Sequence, residues 1–171
     1  MGKIIFTPLI ACMLILFSVT VQAEPSAGGT ADGTPFDIPN GTPINLETAK
    51  KLIAAVEAEA FRHRWKLNIA IVDPNGDLIH FSRMDGAQLA SIDISQGKAR
   101  TAARFRRETR VFFNAIESGR SYVATLDPTL IASPGGLPLI KKGKLVGAIG
   151  CSGGTGDQDD AACRAAVDLI K

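Results

Sequence analysis

Two tight-turn signals constrain this chain more than any other feature. Asp73-Pro74-Asn75-Gly76-Asp77 separates the apolar runs Leu67–Asp73 and Leu78–Met84, and Lys142-Gly143 separates Leu137–Lys141 from Lys144–Cys151. Short apolar runs joined by Asn/Asp/Gly turns predict hairpins, and hairpins predict antiparallel pairing. The surrounding segments carry helical spacing. Leu46, Ala49, Leu52, Ile53, Val56 and Ala60 mark a helix over 46–65, with Asn45 as its N-cap and Glu47 in its first turn. Ser91 is expected to cap a helix reaching about Arg107, and Thr109 to begin a shorter one that stops at Gly119. Thr155 and Gln158 form a capping box for the last helix, whose first turn holds Asp157, Asp159 and Asp160. The expected order is α-ββ-αα-ββ-α: an α+β domain in which helices pack on an antiparallel sheet of about five strands.

The first 23 residues read as an export signal. Lys3 is the positive head, Ile4 to Val21 the apolar run, and Val21-Gln22-Ala23 the small-residue end, which places cleavage between Ala23 and Glu24. A lipobox-like Leu9-Ile10-Ala11-Cys12 and an uncleaved membrane anchor are the competing readings. Residues 24–43, rich in Gly, Pro, Ser and Thr, read as a flexible leader, leaving 44–171 as one domain. The expected location is the periplasm or the medium. There disulfides form, but Cys163 sits on the apolar face of the last helix and Cys151 at a strand end, so two buried thiols are expected, with a bridge as the alternative. With 19 basic and 17 acidic side chains overall, and one lysine lost with the signal, the domain is close to neutral and lacks the footprint of a nucleic-acid binder.

Seven of the 17 glycines fall between Pro134 and Gly154. Glycine is used where backbone turns with positive φ or passes close to something else, so this stretch is either the wall of a binding site or a surface for close helix packing.

Three blocks carry the remaining signal. They are Ile71-Val72-Asp73-Pro74-Asn75-Gly76-Asp77 through Arg83-Met84-Asp85-Gly86-Ala87; Ser91-Ile92-Asp93-Ile94-Ser95 through Gly97-Lys98-Ala99-Arg100-Thr101-Ala102; and Pro134-Gly135-Gly136-Leu137-Pro138 through Gly147-Ala148-Ile149-Gly150-Cys151-Ser152-Gly153-Gly154. Together they resemble the GlcG/HbpS-like family over roughly residues 44–171. That family includes extracellular haem-binding or haem-degrading proteins and the C-terminal domain of some corrinoid adenosyltransferases. The resemblance implies a profilin-like fold, homo-oligomeric assembly and haem as the ligand.

The residues have a chemistry of their own. Arg83 and Asp85 flank a strand end before Gly86, while Lys98 and Thr101 share a helical face. If that face meets the Gly135-Gly136 bend, a cationic, hydroxyl-bearing rim results, suited to haem carboxylates or to a small organic acid with Asp85 as general base. The alternative is an ion-pair network of Arg83, Asp85 and Lys98 that holds hairpin to helix. Gly153 and Gly154, ahead of the last helix, offer amides to an anion, though the acids beside them argue against phosphate. An exposed cluster of those acids is a conceivable divalent-cation site without defined ligand spacing. For haem iron, His80 is the candidate ligand, expected on the less covered face of the sheet; His63 and Tyr122 are the other donors. A non-catalytic role as extracytoplasmic partner of a membrane sensor completes the alternatives.

Overall fold

The structure is a computed structural model that describes residues 1–2 and 37–170. The signal, the lipobox-like stretch and most of the leader lie outside the described residues. The elements are α1 (Leu46–His63), β1 (Asn68–Val72), β2 (Leu78–Arg83), α2 (Ser91–Phe105), α3 (Thr109–Glu117), a 3₁₀ turn (Ser121–Thr125), β3 (Gly136–Lys141), β4 (Lys144–Ser152) and α4 (Gly156–Ile170). Asn45 caps α1 by accepting from the Thr48 amide at 2.9 Å, and Thr155 and Gln158 form the reciprocal box before α4. Asp73 accepts the amides of Asn75, Gly76 and Asp77 at 2.8–2.9 Å and so closes the first hairpin.

The sheet is antiparallel in the order β2-β1-β4-β3. It has four strands rather than about five. A fifth segment stops at a single bridge between Asn40 and Leu145, held by Gly41 N–H to Leu145 O at 2.7 Å and Leu145 N–H to Pro39 O at 2.9 Å. Pro39 and Pro43 flank it and lack the donors that a longer ladder would need.

Helices cover both faces. Ile69, Ile71, Ile149 and Cys151 pack against Leu52, Ile53 and Val56 of α1 and Ala162, Cys163 and Ala166 of α4. Ala70, Val72 and Ala148 pack against Ala99, Ala102 and Ala103 of α2. Small residues on that second face bring α2 very near the sheet. A Cβ on Gly150 would lie 2.0 Å from Ser95 O, and one on Gly136 would lie 2.5 Å from Lys98 O. Helix packing accounts for these two glycines.

Two local expectations are corrected. Ser91 does not cap α2; Ala90 precedes the helix with no side-chain cap, and the buried Ser91 hydroxyl shares a hydrogen bond with that of Ser152 at 3.0 Å. Cys151 and Cys163 are not thiols but a disulfide with Cα atoms 5.9 Å apart. The Gly153–Thr155 turn folds α4 back against β4, which brings a strand-end cysteine and a helical one within bridging distance.

Candidate functional site

The expected rim does not exist as an open site. Lys98 and Thr101 do meet the 131–136 segment, but the space is filled. Lys98 is 1% exposed, and its ammonium donates to Asp159 Oδ2 at 2.7 Å and to Cys151 O at 3.1 Å. Thr101 Oγ1 accepts from the Ile131 amide at 3.0 Å. Gly135 leaves room for Asp159 itself, whose Cβ would stand 2.7 Å from an added methyl. Burial holds the Lys98 pKa below the ordinary lysine value, while the Asp159 carboxylate pulls it back up. The lysine is thus a packed ion pair joining α2, β4 and α4, and not a hand extended to solvent.

The acids of α4 are likewise spent on structure. Asp159 and Asp160 are buried rather than exposed. Asp160 meets Arg164 at 2.9 Å and Arg110 at 3.3 Å, and Arg110 also holds Asp157 at 2.8 Å. Among the described residues no group of three or more His, Cys, Asp or Glu is arranged to hold a metal ion.

Arg83 and Asp85 lie on the surface, away from the Lys98 network's sealed interior. His80 is half-buried and pairs with Ile71, so both side chains face the α1 side of the sheet. A bulge between Ile71 and Val72 breaks the alternation, and Ile79 packs toward the same core. That shift is why His80 does not occupy a bare face. It lies in β2, four residues before Met84, and lines neither recess described below.

The open site forms elsewhere, around the strap that leads from α1 into β1. Arg64 ends α1 in the left-handed conformation, φ 58°, with its amide directed at Ala60 O and Phe61 O. Two recesses flank the strap. One, of about 380 Å³, is lined by Phe61, Arg64, Trp65, Lys66, Met84 and Asp85. The other, of about 320 Å³, is shared by the same Arg64, Trp65 and Lys66 with Gly86, Gln88, Gly153, Gly154 and Gln158.

The first recess is mainly apolar. Phe61 is 70% exposed there, and Met84 is buried. His63 stacks on Trp65 with ring centroids 4.4 Å apart, and its Nε2 lies 3.0 Å from Glu59 Oε1. The structure therefore brings Asp85, Gly153 and Gly154 to recesses with a common wall, and leaves Arg83, Lys98, Thr101, Gly135, Gly136 and His80 outside the set that lines them. Phe61, Arg64, Trp65 and Lys66 were not singled out as site residues from the sequence. Their signal was an Arg-His-Arg-Trp-Lys run at a helix end, where aromatic and cationic side chains alternate without apolar periodicity.

Phe61, Trp65 and Met84 fit one face of a flat apolar ring such as a haem. The thioether of Met84 and the imidazole of His63 beside the recess are donor types that haem iron accepts.

A model of the family described as haem degrading protein HbpS-like matches residues 44–168. Protein GlcG of Escherichia coli K12 is 39% identical over 109 residues, which is 64% of this chain and 81% of the relative. Among solved structures, a double mutant of Streptomyces reticuli HbpS superposes with a TM-score of 0.71 at 28% identity, over 88% of this chain and 99% of the other. The haem complex of PduOC gives a TM-score of 0.70 at 25% identity, covering 76% and 96% of the two chains. This chain belongs to the HbpS-like family, whose description is that of a haem degrading protein.

Proposed function

We propose that the chain is an exported haem-binding protein that seats the macrocycle in the recess of Phe61, Trp65 and Met84. The observation that carries this reading is the exposed Phe61 beside a half-buried Trp65. An exposed phenylalanine beside a partly covered indole on a small domain marks a ligand surface, because water leaves it readily when a flat ring covers it. Membership in a family with a structurally similar haem complex supports haem as that ring. When bound, haem would supply a redox-active iron; Phe61, Trp65 and Met84 would hold the ring as an apolar floor, with the Met84 thioether and the His63 imidazole as the donor types at hand.

Export is part of the same proposal. The Cys151–Cys163 disulfide supports it, since such bridges persist in oxidising compartments, and so does the signal-like segment before Glu24. Assembly into a homo-oligomer belongs to it as well, supported by the exposed Val111 on α3, Tyr122 in the 3₁₀ turn and Leu126 just after it. The competing anchor for a small organic acid, Arg83 together with Lys98, loses support because the Lys98 ammonium is sealed.

Titration of the purified protein with haem tests the reading. The expected result is a saturable Soret band that Phe61→Ala weakens. A band absent in both oxidation states, or unchanged by that substitution, overturns it. For export, the expected species outside the cytoplasm begins at Glu24 and carries no free thiol; a cytoplasmic species retaining Met1 and reduced cysteines refutes it.

A further inference from the structure

The two recesses differ in polarity but share a wall, and that asymmetry carries information about the ligand. Resting on the haem reading, we propose that the second recess is the seat for the ligand's carboxylates. Arg64 and Lys66 hold them, and the site selects a flat apolar ring that bears acid groups over the same ring without them.

Charge decides which recess takes the acid. The apolar recess includes Asp85, whose carboxylate repels a second one, whereas no acidic side chain lines the polar recess. Both cations border it. Lys66 reaches in over Gly86: a Cβ at that glycine would stand only 3.0 Å from Lys66 Nζ, so the absence of a side chain there makes room for the ammonium. Gly86 has φ 75°, a conformation that favours glycine independently. Among the described residues neither Arg64 nor Lys66 is engaged in an ion pair, in contrast to Lys98, Arg110 and Arg164.

The backbone of the glycine turn cannot take this role alone. The Gly154 amide already donates to Asp159 Oδ1 at 2.9 Å and the Thr155 amide to Gln158 Oε1 at 2.9 Å. The side-chain cations are therefore the groups left to neutralise an incoming acid. A charged hydrogen bond from Arg or Lys to a carboxylate is about twice as strong as a neutral one. Gln88 and Gln158 add neutral donors on the same wall.

Trp65, the chain's one tryptophan, lines both recesses, so its fluorescence reports occupancy without reference to iron or to turnover. The experiment compares haem, metal-free protoporphyrin IX and haem dimethyl ester by Trp65 quenching and, for the two haems, by the Soret band. The proteins are wild type and the double variant Arg64→Gln/Lys66→Gln, with circular dichroism to check the fold. For wild type, both free acids are expected to bind on the order of ten times more tightly than the ester, one well-formed charged contact being worth about that factor. In the double variant the roughly tenfold advantage of the acids over the ester collapses to about one, whatever the ester's own affinity becomes. Raising ionic strength should weaken the acids in wild type and leave the ester unmoved.

Equal binding of acid and ester to wild type overturns the carboxylate seat while the haem reading stands. So does an equal loss of acid and ester in the double variant. If no tetrapyrrole binds wild type, with or without iron, both proposals fall together.

Discussion

The sealed cluster around Lys98 and the open strap around Arg64–Lys66 are made of the same parts: cations, a carboxylate, glycines that admit close approach. They differ in what covers them. Lys98 projects from a helix that rests directly on the sheet, and α4 folds over its other side, so the ammonium finds Asp159 and a backbone carbonyl but no solvent. Arg64 and Lys66 sit where a helix has just ended, and among the described residues both remain exposed. Residue type therefore identifies the groups able to bind a ligand, and coverage decides which of them can.

The largest expected effect tests the sealed side. Lys98→Met leaves Asp159 buried without its partner and should cost about 3–5 kcal/mol in denaturant unfolding. Lys98→Met/Asp159→Leu removes both charges and should recover most of that loss, because much of the single-variant penalty is an uncompensated ion. A double variant no more stable than the single one would mean that the pair's surroundings, and not its charges, hold the three elements together. The pair also has a pH signature. Burial lowers the Lys98 pKa in the folded chain, so on the way up toward the ordinary lysine value of about 10.4 the folded state sheds this proton first. The unfolded state then binds more protons, and this group's contribution to stability rises with pH across that window. Lys98→Met should lack that alkaline rise.

Next comes the bridge. The disulfide closes the turn that carries Gly153, Gly154 and Gln158, the wall of the polar recess. Cys151→Ala/Cys163→Ala should cost about 2–4 kcal/mol in unfolding. It should also weaken acid binding at the strap by a smaller factor. A variant with unchanged stability would show that core packing and the ion pairs of α4 hold it without the bridge.

How much of this was legible in the sequence follows local chemistry closely. Both hairpins, the Asn45 cap and the Thr155/Gln158 box lie within a few residues of the groups that satisfy them, and the chain read correctly there. The disulfide depends on how the turn between β4 and α4 folds back, the fate of Lys98 on a partner far along the chain, and the side of β2 that His80 faces on a one-residue bulge. Asp159 lies 61 residues from Lys98, and nothing in either neighbourhood announces the meeting. The glycines were readable as close approach but not as to what approaches: for Gly136 and Gly150 it is α2, for Gly153 the Lys66 carbonyl. The strap was missed because the Arg62–Lys66 run that contains it follows no periodicity, which made it look like a helix end and nothing more.

On the open side, Phe61→Ala should weaken haem about tenfold, equivalent to about 1.4 kcal/mol, and leave the unfolding midpoint in place, since Phe61 is largely exposed. The Lys98→Met/Asp159→Leu protein offers the complementary control. If the buried pair is structural, its haem affinity should stay within about twofold of wild type, small against the tenfold steps above. A matching tenfold loss would show that the interior communicates with the strap.

Arg83→Ala should have the smallest effect. Arg83 is exposed at the end of an edge strand, pairs in register with Asn68, and is not among the residues that line either recess. An exposed arginine of this kind contributes little to stability, so both unfolding and haem affinity should stay near the wild-type values. The measurement is worth making because Arg83 lies only two residues before Asp85, which does line the apolar recess. If Arg83→Ala weakens a carboxylated porphyrin as much as Lys66→Gln does, the acid lies over the end of β2 rather than over Gly86. The ligand would then cross the strand end, and the polar recess would lose its role.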